Sequence, residues 1–343
     1  MQPLRHSRRK HTILALLLVV ITLSVVLLTG EIVLRLLGYH GAPQSILRNI
    51  YQVDDAMLDW RYIPHSTFKS GRVVHLYNGA GFRDVEHAME KPPGIKRLIV
   101  VGDSVTEGHG VKTESVFSRL LQSQLGGAYE VITMAMGGLN TPQEIRLFEK
   151  AGLVYTGDLV ILNFVLNDCD HDATFKRAQE HFYKQDAELG MLNMSINPRF
   201  KRLLLSSAML YLIKERVQYL QGRFLGQEQV DYFVKIWAQA ENRQRVTEAL
   251  DTLQTLHQAH HFDVLVIIWP VLMDYRHYKF AYIHTWMQEQ AAQRDFATLD
   301  LLPSFSKSSF RDLQVAAEDN IHPNALGHKV AVEAFLHWYG VPK

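Results

Sequence analysis

The chain has 343 residues and a net charge of +1, so no basic footprint points to a nucleic-acid partner. Its composition, 47% hydrophobic with 11 prolines and 21 glycines, excludes long disorder and can bury a large core. The one cysteine, Cys169, excludes an intramolecular disulfide and a cysteine-based zinc site.

In chain order, Arg5, Arg8, Arg9 and Lys10 precede an uncharged run from Thr12 to Thr29. That run reaches the length of a spanning helix and exceeds the usual signal-peptide core of roughly 7–15 residues. No small-x-small cleavage pattern stands around Leu27–Glu31. The reading is an uncleaved signal-anchor, with a cleaved signal peptide as the alternative. The basic flank then keeps residues 1–11 in the cytoplasm as a tail and places everything after the helix outside. Residues 12–37 form the membrane helix and its interfacial extension. Residues 38–95 read as an irregular linker and N-terminal extension, punctuated by Pro43, Pro64 and Pro92-Pro93. Within it, His75–Asp84 is expected to turn at its glycines and present Phe82 and Arg83, the latter pairing a carboxylate or contacting substrate.

Residues 96–343 alternate in character. Leu98–Val101 is a short apolar run that reads as a strand buried on both faces, and it stops at Gly102-Asp103-Ser104. Helical spacing follows over Glu114–Leu125, closed by Gly126-Gly127. Further strands are expected at Tyr129–Met136, Asp158–Leu166, Asp263–Trp269 and Phe296–Leu302. Helices are expected at Pro142–Ala151, Glu241–His260, Tyr282–Arg294 and Asn324–Tyr339. This order predicts an α/β fold, a parallel sheet with helices on both faces. A helical insertion at about 170–240, most apolar over Leu203–Ile213, is expected to carry a small core of its own.

Ligands of open α/β sheets bind beyond the carboxyl ends of the strands. Ser104 lies there, either as a cap of the next helix or as a nucleophilic hydroxyl. His322, just before the last helix, is the candidate base. Asp319, three residues earlier, can reach its Nδ1 and fix the tautomer. Gly138 and Asn167 end the second and third strands, where a backbone N–H and a side-chain amide could join the Ser104 N–H as oxyanion donors. Asp103 and Asp168 are supporting groups, with Asp168 holding loops together rather than an ion; Asp170 and His171 crowd the same rim. His257, His260 and His261 sit at a helix end where histidine favours the dipole, so no metal is assigned. No Walker or Gly-x-Gly-x-x-Gly loop is present, and no cofactor is assigned. The absence of a Gly-x-Ser-x-Gly elbow disfavours an ordinary α/β-hydrolase.

Gly102-Asp103-Ser104, Gly138, Asn167-Asp168 and Asp319-x-x-His322 resemble the four blocks of the SGNH (GDSL-like) hydrolase superfamily, over roughly Leu98–Tyr339. The basic start, apolar helix and Gly-Phe-Arg-Asp turn are similar to its membrane-anchored bacterial envelope branch. The resemblance implies a flavodoxin-like three-layer α/β/α sandwich with Ser104 as nucleophile, His322 as base and Asp319 as its orienter. It also implies an oxyanion hole of Ser104, Gly138 and Asn167. Three positions depart from the family pattern: Val165 stands for the glycine of the third block, Thr133 and Ala135 open the second, and Val105 replaces leucine. None removes a reacting group. The expected function is a membrane-anchored serine esterase that removes O-acyl, most simply O-acetyl, groups from an envelope or extracellular glycan or other ester. Its expected place is the bacterial inner membrane, single-pass, with the domain on the outer side. Alternatives are an O-acyltransferase using the same intermediate and a non-catalytic glycan-binding module. For such a protein the Asn193-Met194-Ser195 acceptor pattern carries no meaning.

Overall fold

The computed structural model describes residues 4–39, 50–52, 58, 60–70, 73–170, 206–213, 216–217, 228–316 and 319–340. His171, the Asn193-Met194-Ser195 pattern and most of the expected insertion lie outside them. Helix α1 (Leu4–Leu36) runs unbroken because its 33 residues contain no proline. Its stretch His11–Leu36, with mean hydropathy 2.9 and no buried residue, is long and apolar enough to cross a membrane.

The last turns of α1 are not free. The Glu31 carboxylate accepts the Ser207 hydroxyl at 2.7 Å and the backbone N–H groups of Ala208 and Met209 at 3.1 and 3.0 Å. Arg35 donates to Glu31 at 2.6 Å and to the Ser206 carbonyl at 2.9 Å. A side chain of one helix thereby satisfies the orphan donors at the start of a second, helical at 208–213.

The described part of the extension carries more strand than its sequence suggests. Strands β1 (Ile50–Gln52) and β2 (Trp60–Tyr62) pair antiparallel, as do β3 (Thr67–Ser70) and β4 (Val73–Leu76). Strands of three or four residues are too short to establish an alternation, which is why the stretch reads as irregular. Trp60, Tyr62, Tyr77 and Phe82 are buried in the main core, so the extension is packed as part of the domain.

The central sheet follows. Strand β5 (Lys96–Gly102) leads through short helix α2 (Ser104–Glu107) and α3 (Phe117–Leu125) to β6 (Tyr129–Ala135). Helix α4 (Thr141–Leu147) leads to β7 (Leu159–Phe164). Helices α5 (Glu228–Ala238) and α6 (Ala240–His260) precede β8 (Asp263–Ile268). Helix α7 (Ala281–Ala292), β9 (Ala297–Asp300) and α8 (Ala325–Tyr339) complete it. The five strands are parallel in the order β6-β5-β7-β8-β9. The expected strand Leu98–Val101 extends to Lys96–Gly102, and the four later ones are trimmed by one to three residues. Helix 142–151 ends early in a π turn over Phe148–Gly152, and helix 114–125 begins with a separate 3₁₀ turn at Thr113–Ser115.

Period-two alternation divides the core into two layers. Leu98 and Val100 of β5 pack with Phe117, Leu121 and Phe335, beneath α3 and α8. Ile99 and Val101 face the other way, with Ile145, Leu250, Met287 and the extension's aromatics. Each fully buried aliphatic side chain contributes roughly 1.5–3 kcal/mol. Contrary to expectation, the described part of the insertion has no core of its own: Phe233, Ile236 and Trp237 of α5 join the second layer. These residues alternate at helical spacing just as a self-contained bundle would, so the pattern could not say which surface they meet.

Candidate active site

In this strand order the chain leaves β5 for β6 on one side and returns to β7 on the other, which makes the β5–β7 boundary the switch point of the sheet. Ser104 follows β5, the loop after β7 carries Asn167, and the loop after β6 carries Gly138, so the topology brings all three strand ends to one rim. Ser104 is the first residue of α2, not its cap. That duty falls to Asp103, whose Oδ1 accepts the Val105 N–H at 2.8 Å. The Ser104 N–H, at the first position of a helix, has no intrahelical acceptor and is available to a ligand.

The candidate base arrives from the far end of the chain. Leu272 after β8 donates to the Asn320 carbonyl at 2.8 Å, Val315 to the His322 carbonyl at 3.0 Å, and Asn324 caps α8. Held between them, His322 lies with Nε2 2.9 Å from Ser104 Oγ and Nδ1 2.9 Å from Asp319 Oδ2. Asp319 Oδ1 also accepts the His322 N–H at 2.9 Å, a local turn that points its carboxylate at the ring. With Nδ1–H given to Asp319, the Nε2 lone pair faces the serine. Burial works against a charged imidazole, but the Asp319 charge and hydrogen bond outweigh it and raise the His322 pKa. Burial likewise opposes the Asp319 charge, and the His322 ring and backbone donors overcome it, lowering that pKa.

The donor side is equally defined. Gly138 adopts φ +85°, a left-handed conformation open to glycine, and no atom stands within 4 Å of where a Cβ would be, so its face is clear. Asn167 Nδ2 donates to Asp103 Oδ2 at 3.2 Å, leaving its second N–H for another acceptor. Asp168 Oδ2 accepts the Val165 N–H at 2.6 Å, which tightens the turn that presents Asn167. Chemically, the arrangement can deprotonate a hydroxyl at Ser104 and stabilise an anion beside it.

Other groups here escaped the sequence reading. The His109 ring lies 4.5 Å from that of His322. Glu144 sits with Asp103 and Asp168 in a fully buried group whose oxygens lie within 4.8 Å of one another. Neither Glu144 oxygen has a partner among the described residues. Burial, reinforced by the Asp103 charge at Glu144 and by the Glu144 and Asp103 charges at Asp168, pushes both pKa values well above the carboxylate range and favours the protonated forms. Glu107 stands one turn after Ser104, a spacing the sequence did show, but its partners Tyr62, in β2, and Tyr77, just after β4, come from the extension's strands and their ends, which it did not. Among the described residues Arg83 pairs with no carboxylate side chain. It donates to the carbonyls of Glu107, Gly108 and Val111, because those buried acceptors lie directly under the turn. The three histidines near 260 gather nowhere: His257 Nδ1 is taken by the Phe262 carbonyl and His261 closes α6 in a left-handed conformation.

Comparison with known proteins agrees with the sequence blocks. The model of the GDSL-like Lipase/Acylhydrolase family matches residues 100–330. No curated protein matches the chain. Among solved structures, an acetyl xylan esterase shares 14% identity, with 72% of this chain and 100% of that one covered and a TM-score of 0.44. A catalytic mutant of an acetylxylan esterase from Geobacillus stearothermophilus shares 12%, covering 74% and 98%, TM-score 0.44. A carbohydrate acetylesterase family member from Sinorhizobium meliloti shares 14%, covering 72% and 97%, TM-score 0.41.

Proposed function

Because the chain belongs to the GDSL-like lipase/acylhydrolase family, hydrolases that act on esters, we propose that it is a serine esterase working through an acyl-serine intermediate. The observation that carries this reading is the continuous line from Ser104 Oγ through His322 to Asp319, with hydrogen-bond distances of 2.9 Å at both joints. Ser104 Oγ attacks the ester carbonyl as His322 Nε2 takes its proton. The N–H groups of Ser104 and Gly138 and the Asn167 amide receive the oxyanion. His322 returns the proton to the leaving alcohol, and the same base then activates water to release the acyl group. The acyl group of this reading is short, an O-acetyl on a glycan outside the cytoplasmic membrane.

In this proposal residues 1–11 are the cytoplasmic tail, 12–37 the anchor, and 96–343 the catalytic domain on the periplasmic or extracellular side. The apolar helix and the basic residues before it support that arrangement. A periplasm-dependent reporter fused after Lys343 is then active, and an inactive one overturns the orientation. For the chemistry, the full chain in detergent is given aryl esters of increasing acyl length and, separately, a fluorophosphonate. Turnover fastest on the acetate, absent in Ser104→Ala, with label on Ser104, is the expected result. Neither turnover nor label in folded protein refutes the esterase, and label without turnover reassigns the intermediate to a transferase.

A further inference from the structure

Glu107 is the point at which the N-terminal extension meets the rim. It lies three residues after the serine, is 5% exposed, and spends both carboxylate oxygens on fixed partners. Oε1 accepts the Tyr77 hydroxyl at 2.9 Å and lies 3.5 Å from His75 Nδ1. Oε2 accepts the Tyr62 hydroxyl at 3.0 Å and the Gly137 backbone N–H at 2.7 Å. The Tyr62 and Tyr77 rings stack with centroids 4.2 Å apart, which fixes the two hydroxyls relative to each other. Arg83 clamps the same turn from below through the Glu107 and Gly108 carbonyls, at 3.0 and 2.6 Å.

Gly137 is the residue before the donor glycine, and its own N–H is the one held. A Cβ at Gly137 would stand 3.3 Å from Glu107 Oε2 and 3.5 Å from the Cβ of Ser104, so this backbone lies beside the nucleophile within one atom's reach. The peptide joining Gly137 to Gly138 carries the donor N–H, and its orientation follows from where Gly137 is pinned.

We infer that Glu107 is a positioning residue that sets the oxyanion donor at Gly138, and that Tyr62, Tyr77, His75 and Arg83 make the N-terminal extension an integral part of that setting. The inference rests on the esterase reading for its consequence in catalysis, though not for the contact itself. Burial opposes ionisation of Glu107, but His75, the Arg83 charge and the Gly137 N–H prevail and bring its pKa down to about 2. The acceptor is therefore a permanent anion at neutral pH, which strengthens its hold on the Gly137 N–H.

The test compares Glu107→Ala with Glu107→Gln in the full chain, with kinetics normalised to sites titrated by fluorophosphonate. Alanine removes the acceptor, and kcat is expected to fall about 10–100-fold with KM within about twofold, a partial loss of one oxyanion donor. Glutamine keeps an oxygen for the Gly137 N–H and recovers most of kcat. Amide hydrogen exchange at Gly137 is the second readout, independent of activity: protection is lost in the alanine variant and kept in the glutamine one. If alanine does not fold, Tyr62→Phe, which frees one donor from the same oxygen, shows a smaller fall in kcat and faster Gly137 exchange. Loss of protection in a protein without esterase turnover retains the contact and removes only its catalytic meaning. Unchanged kcat per site and unchanged exchange in these variants, with stability alone reduced, overturn the inference.

Discussion

Two buried glutamates flank the same serine and are opposite in chemistry. Glu107 is surrounded by donors, two tyrosine hydroxyls and a backbone N–H, and is held ionised down to about pH 2. Glu144 is 0% exposed, has no donor among the described residues, and faces two further carboxyls, so its pKa is driven up. Burial penalises both equally in kind. What separates them is how many hydrogen bonds favour the charged form. The ionised one fixes a backbone; the neutral one closes a floor.

Asp319, the partly exposed carboxylate that shares its charge with His322, extends the comparison and gives the largest expected effect. Asp319→Asn removes the group that holds the tautomer, and kcat is expected to fall roughly 10³–10⁴-fold. The pH profile supplies the sign. With the His322 pKa raised above 6.5, kcat/KM falls on the acid side through a midpoint above that value, and the asparagine variant moves the midpoint down. A midpoint unmoved by the substitution would detach Asp319 from the base.

Arg83→Met takes away the cation beneath Glu107 and strips the Glu107 and Val111 carbonyls of their donor, while Gly108 keeps the Val111 N–H. At about 1–3 kcal/mol for each buried acceptor left bare, the loss is at least about 2 kcal/mol, read by denaturant unfolding. A loss under 1 kcal/mol would mean that water replaces the guanidinium and that the turn is not clamped. Tyr77→Phe deletes one hydroxyl from the charged carboxylate and is expected to cost about 1.5–3 kcal/mol.

The smallest effect belongs to Glu144→Gln. Below the ordinary carboxylate value of 4.5 a neutral isostere replaces an acid that is neutral folded and largely so unfolded, so stability at pH 4 changes by about 1 kcal/mol or less. Its pH dependence is the sharper measure. The Glu107 contribution is present above the ordinary carboxylate value of 4.5 and is lost as pH falls toward about 2. Glu144, raised instead, binds its proton more tightly folded than unfolded, so its contribution is full below 4.5 and declines as pH rises. Glu144→Gln should flatten the alkaline decline and leave the acid limb intact. A flattened acid limb would exchange the roles of the two residues.

Much of the rim was legible because its parts are local. Ser104, Gly138 and Asn167 each follow an apolar run, and Asp319 reaches His322 within one turn of chain. The strand order was not: alternation of strand and helix announces a parallel sheet without saying which strand neighbours which. Glu107 stood in plain view three residues past Ser104, yet its meaning depends on Tyr62 and Tyr77, which reach it across 45 and 30 residues of sequence. Glu144 differed from any helical glutamate only in being buried, and burial of a polar residue leaves no mark on a hydrophobic pattern. Arg83 was read as a cation presented by a turn, but backbone carbonyls as its partners have no sequence signature at all.

The joint at the end of α1 has a mechanical consequence. A helix followed by a slack linker passes on almost none of its motion, because loose chain absorbs displacement. Here Glu31 and Arg35 grip residues 206–209 at four points, so a tilt or twist of the helix is delivered to the 208–213 segment as well as along the chain through Tyr39. Deleting residues 1–39 does more than release a domain: it removes the carboxylate that caps a neighbouring helix and leaves that helix's first turn bare.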